Sequence, residues 1–283
     1  MNVKLFGFAI FVAMTVSVPS RGAVITSETV ETIPSRPGYT QTFIFSRVAN
    51  PVASLIMYPG GKGYIGIFPN GSAQFDAFIV YRARKLFAEQ GFNVAVLDAP
   101  SEWGSRGIWE QQRSPEYAAH NAATIAWLRQ QANVPVFLLG FSAGAISATG
   151  VAAQLGDKGA DGLILLSPWM PPKEKWPIPN FVFDSSNAIP SWSGLNRIRG
   201  PMLIVHHLED SCYFSLPEYV PFLASALSAA RKPDVIGLQG GASPSGNACY
   251  PGGRNNFNGL ERDVADAVGN WVRRSVNMEI GKQ

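Results

Sequence analysis

The sequence predicts an α/β protein: a mostly parallel sheet with helices on both faces, carrying a Pro/Trp-rich cap or lid insertion. Three observations predict it. Short continuous apolar runs recur along the chain, as strands buried on both faces require. Stretches with helical spacing lie between them, and that alternation argues for parallel strands joined by crossover helices. One run, residues 136–139, ends in Gly140-Phe141-Ser142-Ala143-Gly144 and passes directly into small residues at helical spacing through Leu155.

The elements follow in order. The chain after the leader opens with a polar, β-rich stretch; residues 42–48 read as an edge strand, and the apolar run 53–58 as a buried one that leads into Pro59-Gly60-Gly61-Lys62-Gly63. Residues 78–90 have helical periodicity through Ile79, Leu86 and Phe87, and Gly91 stops them. Residues 93–98 are the next strand. Residues 115–131 form a helix with Ser114 as its N-cap. Further strands are expected over 161–167, 201–207 and 234–238, and helices over 216–231 and 260–274. In the last helix Leu260, Val264, Ala267, Val268, Trp271 and Val272 share one face.

Residues 168–196 break the alternation: they are rich in Pro and Trp and have no clean period. They leave from the carboxyl end of a strand, where sites on such sheets lie. A cap over the site and a plain surface excursion both fit. Trp169, Trp176 and Trp192 could line an apolar pocket or simply anchor the loop. The loop 100–114, with Trp103 and Trp109, leaves another strand end and is expected to supply a pocket wall. Its Arg106 and Arg113 read as solvated, with an acidic ligand group as the alternative.

With 283 residues the chain can build one large domain with a full core. Charged residues are only 15% and hydrophobic ones 46%, which argues against disorder. The formal charge is +3 with no basic run, so nothing points to nucleic acid. No internal repeat or low-complexity tract is present. Residues 1–22 read as a secretory signal peptide: Lys4, then an apolar stretch over 5–18, then Pro19-Ser20-Arg21-Gly22-Ala23, with cleavage after Ser20, Gly22 or Ala23. The apolar stretch falls short of the ~20 residues of a spanning helix. The expectation is an exported protein, periplasmic or extracellular, with a single domain over 23–283 and no stable membrane anchor after cleavage. In an oxidising compartment Cys212 and Cys249 are expected to pair as a disulfide, the alternative being two buried thiols.

The G-x-S-x-G sequence between a strand and a helix is the setting of a nucleophile elbow, which puts Ser142 on a tight turn above the sheet. An oxyanion hole needs backbone N–H groups aimed where negative charge develops. Ala143, the residue after the serine, is one candidate. Gly61, in the loop after the early strand, is the other, with Lys62 beside it as an alternative. No P-loop is present, because the Lys-Ser/Thr pair is missing. Asp210, just past the 201–207 strand, is the candidate acid, and Glu209 competes with it.

These features resemble the α/β-hydrolase superfamily over about residues 42–272. Gly60-Gly61 after an early strand, the 140–144 elbow and Asp210 after a late strand carry the resemblance. Exported bacterial members are most similar, through Asp98-Ala99-Pro100-Ser101 and the paired His206-His207 before the acid. The resemblance implies a triad in the order Ser, acid, His, with the histidine between the last strand and the last helix. No histidine lies there. The chain has only His120, His206 and His207, all before Asp210. Similar proteins carry the histidine just before a Phe that precedes a Glu-led helix. Here that stretch reads Arg254-Asn255-Asn256-Phe257-Asn258-Gly259-Leu260-Glu261, which puts Asn255 at the base position, with Asn256 as second choice.

An amide is no general base near neutral pH. His207 or His206 could substitute, although a structural place, one in the core and one in the turn, competes. His120 reads as a plain helix residue. The expected function is a serine hydrolase of the carboxylic-ester type, acting on a small ester-like substrate through an acyl-enzyme on Ser142. The alternative is a degenerate hydrolase-fold protein that binds a small ligand without turnover; amidase or thioesterase chemistry is a more distant one. No cofactor and no metal are implied.

Overall fold

The computed structural model describes residues 23–170 and 188–280. Its eight strands form one sheet in the order β1-β2-β4-β3-β5-β6-β7-β8. The strands are β1 (Ile25–Arg36), β2 (Tyr39–Val48), β3 (Ala53–Tyr58), β4 (Phe92–Leu97), β5 (Val136–Phe141), β6 (Gly162–Leu166), β7 (Met202–His207) and β8 (Asp234–Leu238). From β4 to β8 all neighbours pair in parallel, while β1/β2 and β2/β4 are antiparallel. Strands β3 to β7 are buried along their whole length, which is why they read as mainly apolar runs, with Ser54, Asn93 and the His206-His207 pair as the polar exceptions.

Alternation along the strands feeds two cores. In β3, Ile56 and Tyr58 enter the core on one face and Leu55 and Met57 the core on the other. The first core includes residues of α3 (Pro115–Gln131), α4 (Gly144–Leu155) and α5 (Val220–Leu227). The second includes residues of α1 (Ile79–Arg82), α2 (Arg84–Glu89) and α6 (Glu261–Ile280). Ser114 caps α3 as expected, its Oγ accepting from Tyr117 N–H at 3.0 Å.

Three expectations are corrected. Strand β2 is not the edge: β1 pairs with it along ten positions and takes the edge. A half-exposed strand with alternating polar residues offers no apolar run to read. The helix expected over 78–90 is two short ones, α1 and α2, divided at Ala83. The helix expected over 216–231 is confined to α5, because Pro217 opens a 3-10 turn and Pro221 sits in the first turn of the α-helix.

The expected signal peptide lies outside the described residues, as do Trp176 and most of the 168–196 insertion. At its described ends Trp169 is buried and stacks on Phe214, with ring centroids 4.1 Å apart. Trp192 lies under the Arg113 guanidinium at 5.0 Å. Both act as packing anchors. Arg113 is not solvated as expected: it donates to Ala188 O at 3.0 Å, and burial lowers its pKa to about 10. No helix among the described residues is long and apolar enough to cross a membrane.

Candidate active site

The turn between β5 and α4 is sterically tight. A Cβ on Gly140 would stand 2.4 Å from Gly144 O, and one on Gly144 would stand 2.4 Å from Tyr58 O. Glycine at both positions lets α4 start against the sheet. Ser142 between them has φ 53°, a left-handed conformation that costs a non-glycine residue roughly 1–3 kcal/mol. Its N–H donates to Leu166 O at 2.9 Å, so the neighbouring strand holds the strained residue in place.

Ser142 opens onto a cavity of about 270 Å³. Gly61 and Asn255 line the same cavity, with Phe75, Phe78 and Phe141 as apolar walls. Cys249, Tyr250, Pro251 and Asn256 complete its lining. Gly61 has φ 59°. Neither Gly61 N–H nor Ala143 N–H takes part in a hydrogen bond among the described residues. The Lys62 side chain turns away to Ser105 O at 2.5 Å.

The sequence reading overlooked what holds the Gly61 loop. The buried carboxylate of Asp98 accepts from Ile65, Ile67 and Ala99 N–H at 2.9 Å each, and from Gly66 N–H at 3.3 Å. One side chain thus ties the loop after β3 to the end of β4. An acidic residue directly after the apolar residues 94–97 was the available signal.

Asp210 is buried just past β7. Its Oδ1 accepts from Cys212 N–H at 2.9 Å and its Oδ2 from Ser215 Oγ at 2.7 Å. Burial outweighs these bonds and raises its pKa to about 6. No imidazole pairs with it. Glu209 is half-exposed and forms an ion pair with Arg254 at 3.1 Å.

The disulfide Cys212–Cys249 forms, with Cα atoms 4.7 Å apart. It joins the Asp210 turn to the loop that walls the cavity.

The two asparagines differ sharply. Asn256 is fully engaged: Oδ1 accepts from Ile79 N–H at 2.9 Å, while Nδ2 donates to Ala77 O at 2.8 Å and Pro251 O at 2.9 Å. It fastens the start of α1. Asn255 is 1% exposed, and its Oδ1 has no partner.

The histidines lie elsewhere. His207 accepts Glu209 N–H on Nδ1 and donates Nε2–H to Gly240 O, both at 3.0 Å. Both ring nitrogens are therefore committed to backbone. His206, on the other side of β7, has an unpartnered Nδ1, and burial lowers its pKa. Neither lines the Ser142 cavity.

His120 is more than a plain helix residue. Buried on α3, it meets Ser35 Oγ at 2.7 Å through Nδ1 and Glu102 Oε2 at 2.9 Å through Nε2, and Arg36 also binds Glu102. Glu102, Trp103 and Trp109 line a larger hollow of 560 Å³. The 100–114 loop thus supplies a pocket wall, but of a hollow without Ser142.

The X-Pro dipeptidyl-peptidase (S15) family matches residues 26–200, well over half of the chain. The chain belongs to that family. The match contains Gly61, Asp98 and Ser142 and stops before Asp210 and Asn255. Among curated proteins nothing matches. Solved structures share the fold at low identity. A dienelactone hydrolase from Anabaena variabilis superposes with TM-score 0.59 at 11% identity, covering 88% of this chain and 98% of its own. An esterase from Pyrococcus furiosus gives 0.58 at 14%, covering 88% and 93%. An acylaminoacyl peptidase from Pyrococcus horikoshii gives 0.62 at 11%, covering 89% of this chain and 42% of its own. These place the chain in the α/β-hydrolase fold.

Proposed function

We propose that the protein is a serine hydrolase of the carboxylic-ester type, exported from the cell, with Ser142 as nucleophile. One observation carries the reading: a serine strained at φ 53° stands at an apolar cavity beside two unused backbone N–H groups, those of Gly61 and Ala143. Family membership supports the serine-hydrolase class of chemistry. In this reading Ser142 Oγ attacks the ester carbonyl and the two N–H groups receive the oxyanion. The alcohol leaves, and water releases the acid from the acyl-enzyme. Asp210 takes the acid position behind the loop that ends at Asn255.

The base is the weak member. Without a triad imidazole an enzyme keeps roughly 10³–10⁴-fold over water from its oxyanion hole and binding alone. Turnover is accordingly slow. A second reading, binding without turnover, is favoured by Asn255 in the cavity and by the commitment of both His207 nitrogens elsewhere.

A fluorophosphonate probe separates the two. Labelling of Ser142 that disappears in Ser142→Ala supports the hydrolase; folded protein that stays unlabelled favours the binder. Asn255→His is expected to raise p-nitrophenyl acetate turnover by at least tenfold. No gain in the folded variant removes Asn255 from the base position.

A further inference from the structure

The larger hollow, of 560 Å³, takes no part in the Ser142 site, yet it falls within the ~300–1,000 Å³ usual for small-molecule sites. Three aromatic side chains line it, Tyr39, Trp103 and Trp109, together with four polar ones, Glu102, Arg106, Glu110 and Gln111. Its walls are fixed in advance. Trp103 meets the His120 ring edge-on with centroids 5.2 Å apart, and Trp109 leans on Trp169 at 5.8 Å. Ile108 N–H donates to Lys62 O at 2.9 Å and ties this turn to the Gly61 loop. Glu102 Oε2 accepts from His120 Nε2 at 2.9 Å and from Arg36. Burial alone would raise the Glu102 pKa; the bonds from His120 and Arg36 outweigh it and keep the carboxyl ionised. Its Oε1 accepts from no group among the described residues and is not sealed from solvent.

The charges around the hollow cancel. Arg36 neutralises Glu102, and the lining holds one further carboxylate, Glu110, against one guanidinium, Arg106. An ionic ligand of either sign would find no surplus counter-charge there. The polar groups are mixed instead: Glu102 and Glu110 accept, Arg106 donates, and Gln111 does both. A hydroxyl donates and accepts, so a ligand rich in hydroxyls can use all of them. The aromatic side chains ask for the opposite, an apolar surface with slightly positive hydrogens that can lie on the negative face of a ring. A pyranose with equatorial hydroxyls meets both demands, because its hydroxyls stand around the edge and its C–H groups point from the flat faces. The rim is exposed at Tyr39, Arg106 and Glu110, which leaves room for a chain of such rings to continue past it.

We propose that this hollow is a carbohydrate-binding site for a neutral oligosaccharide of pyranose units with equatorial hydroxyls. Tyr39, Trp103 and Trp109 receive the sugar faces, while Glu102 Oε1 and Gln111 bond the hydroxyls. The site stands whether or not Ser142 turns over an ester.

The test is isothermal titration of the purified protein near neutral pH with cellohexaose and xylohexaose. Tetramethylammonium chloride and trigalacturonate serve as the cationic and anionic probes. At least one neutral hexaose is expected to bind, and at least tenfold tighter than either charged probe. Tyr39→Ala, at an exposed position, and Gln111→Ala are each expected to weaken that binding at least fivefold, and Ser142→Ala to retain it. No binding of either hexaose by the wild-type protein overturns the inference without recourse to any variant, and so does tighter binding of a charged probe. Folded Tyr39→Ala and Gln111→Ala proteins that both bind the hexaose unchanged also overturn it. Loss of hexaose binding in folded Ser142→Ala would put the sugar in the other cavity and remove it from this one. Ser142 labelling by fluorophosphonate without hexaose binding sinks this inference and leaves the hydrolase reading; hexaose binding without labelling does the reverse.

Discussion

Two serines in this molecule have opposite surroundings. Ser35 has a histidine and a carboxylate in line, at 2.7 and 2.9 Å, as a hydrolase triad would. It sits near the end of β1 without positive φ. Ser142 has no imidazole, but it has the strained turn, the apolar cavity and the unused N–H groups. A Ser-His-Glu chain of hydrogen bonds is therefore insufficient evidence of chemistry. In the first region it pins the β1–β2 hairpin to α3 and to the 100–114 loop. What distinguishes the second is its backbone: a left-handed serine at a cavity, next to two N–H groups without a partner among the described residues.

The largest expected effect addresses this contrast directly. Ser142→Ala is expected to abolish fluorophosphonate labelling, while Ser35→Ala leaves it intact; mass spectrometry of the labelled peptide reads both. Label on the Ser35 peptide would reverse the assignment of the two regions. Next in size is the disulfide. Cys212→Ser with Cys249→Ser opens a link of sequence separation 37, worth about 4 kcal/mol in the chain-entropy model. Urea midpoints read by far-UV circular dichroism should fall accordingly, with fluorophosphonate labelling of Ser142 lost at lower urea than the far-UV signal.

Asp210 gives the third effect. Its folded pKa of about 6 lies above the ordinary 3.8, so the native state holds the proton more tightly than the unfolded chain. Its stability contribution is full below about pH 4 and is lost as pH rises towards 6, by about 3 kcal/mol. The melting temperature of Asp210→Asn relative to wild type should therefore be higher at pH 8 than at pH 4. A pH-independent difference would show that Asp210 is ionised throughout. The smallest effect belongs to the hairpin. His120→Ala removes two buried bonds and should cost about 2 kcal/mol by urea titration, with Ser142 labelling unchanged. Burial holds the His120 pKa below 6.5, so its contribution is present above that pH and fades as pH falls.

Much of the fold was legible because β3 to β7 are buried on both faces and so carry largely apolar runs. Strand β1 was legible only as a polar, β-rich stretch without bounds or partner, since a half-exposed edge strand leaves a mixed pattern. The elbow was legible because its glycines are dictated by contacts that admit no Cβ. The cavity walls were not. Phe75 and Pro251 come from irregular loops far apart in sequence, and no periodicity links them. The same holds for His120, whose partners Ser35 and Glu102 come from a strand and a loop.

The disulfide decides how the cavity responds to a reductant. Cys249 is at once a wall of the cavity and half of a covalent tie to the Asp210 turn. Its loop, residues 239–253, has no regular structure of its own. Hydrogen bonds from Asn256 Nδ2 to Pro251 O and from Ala242 N–H to Asn258 O hold this wall on one side, and the disulfide ties it covalently on the other. Breaking that single bond therefore loosens the cavity wall and the Asp210 turn together.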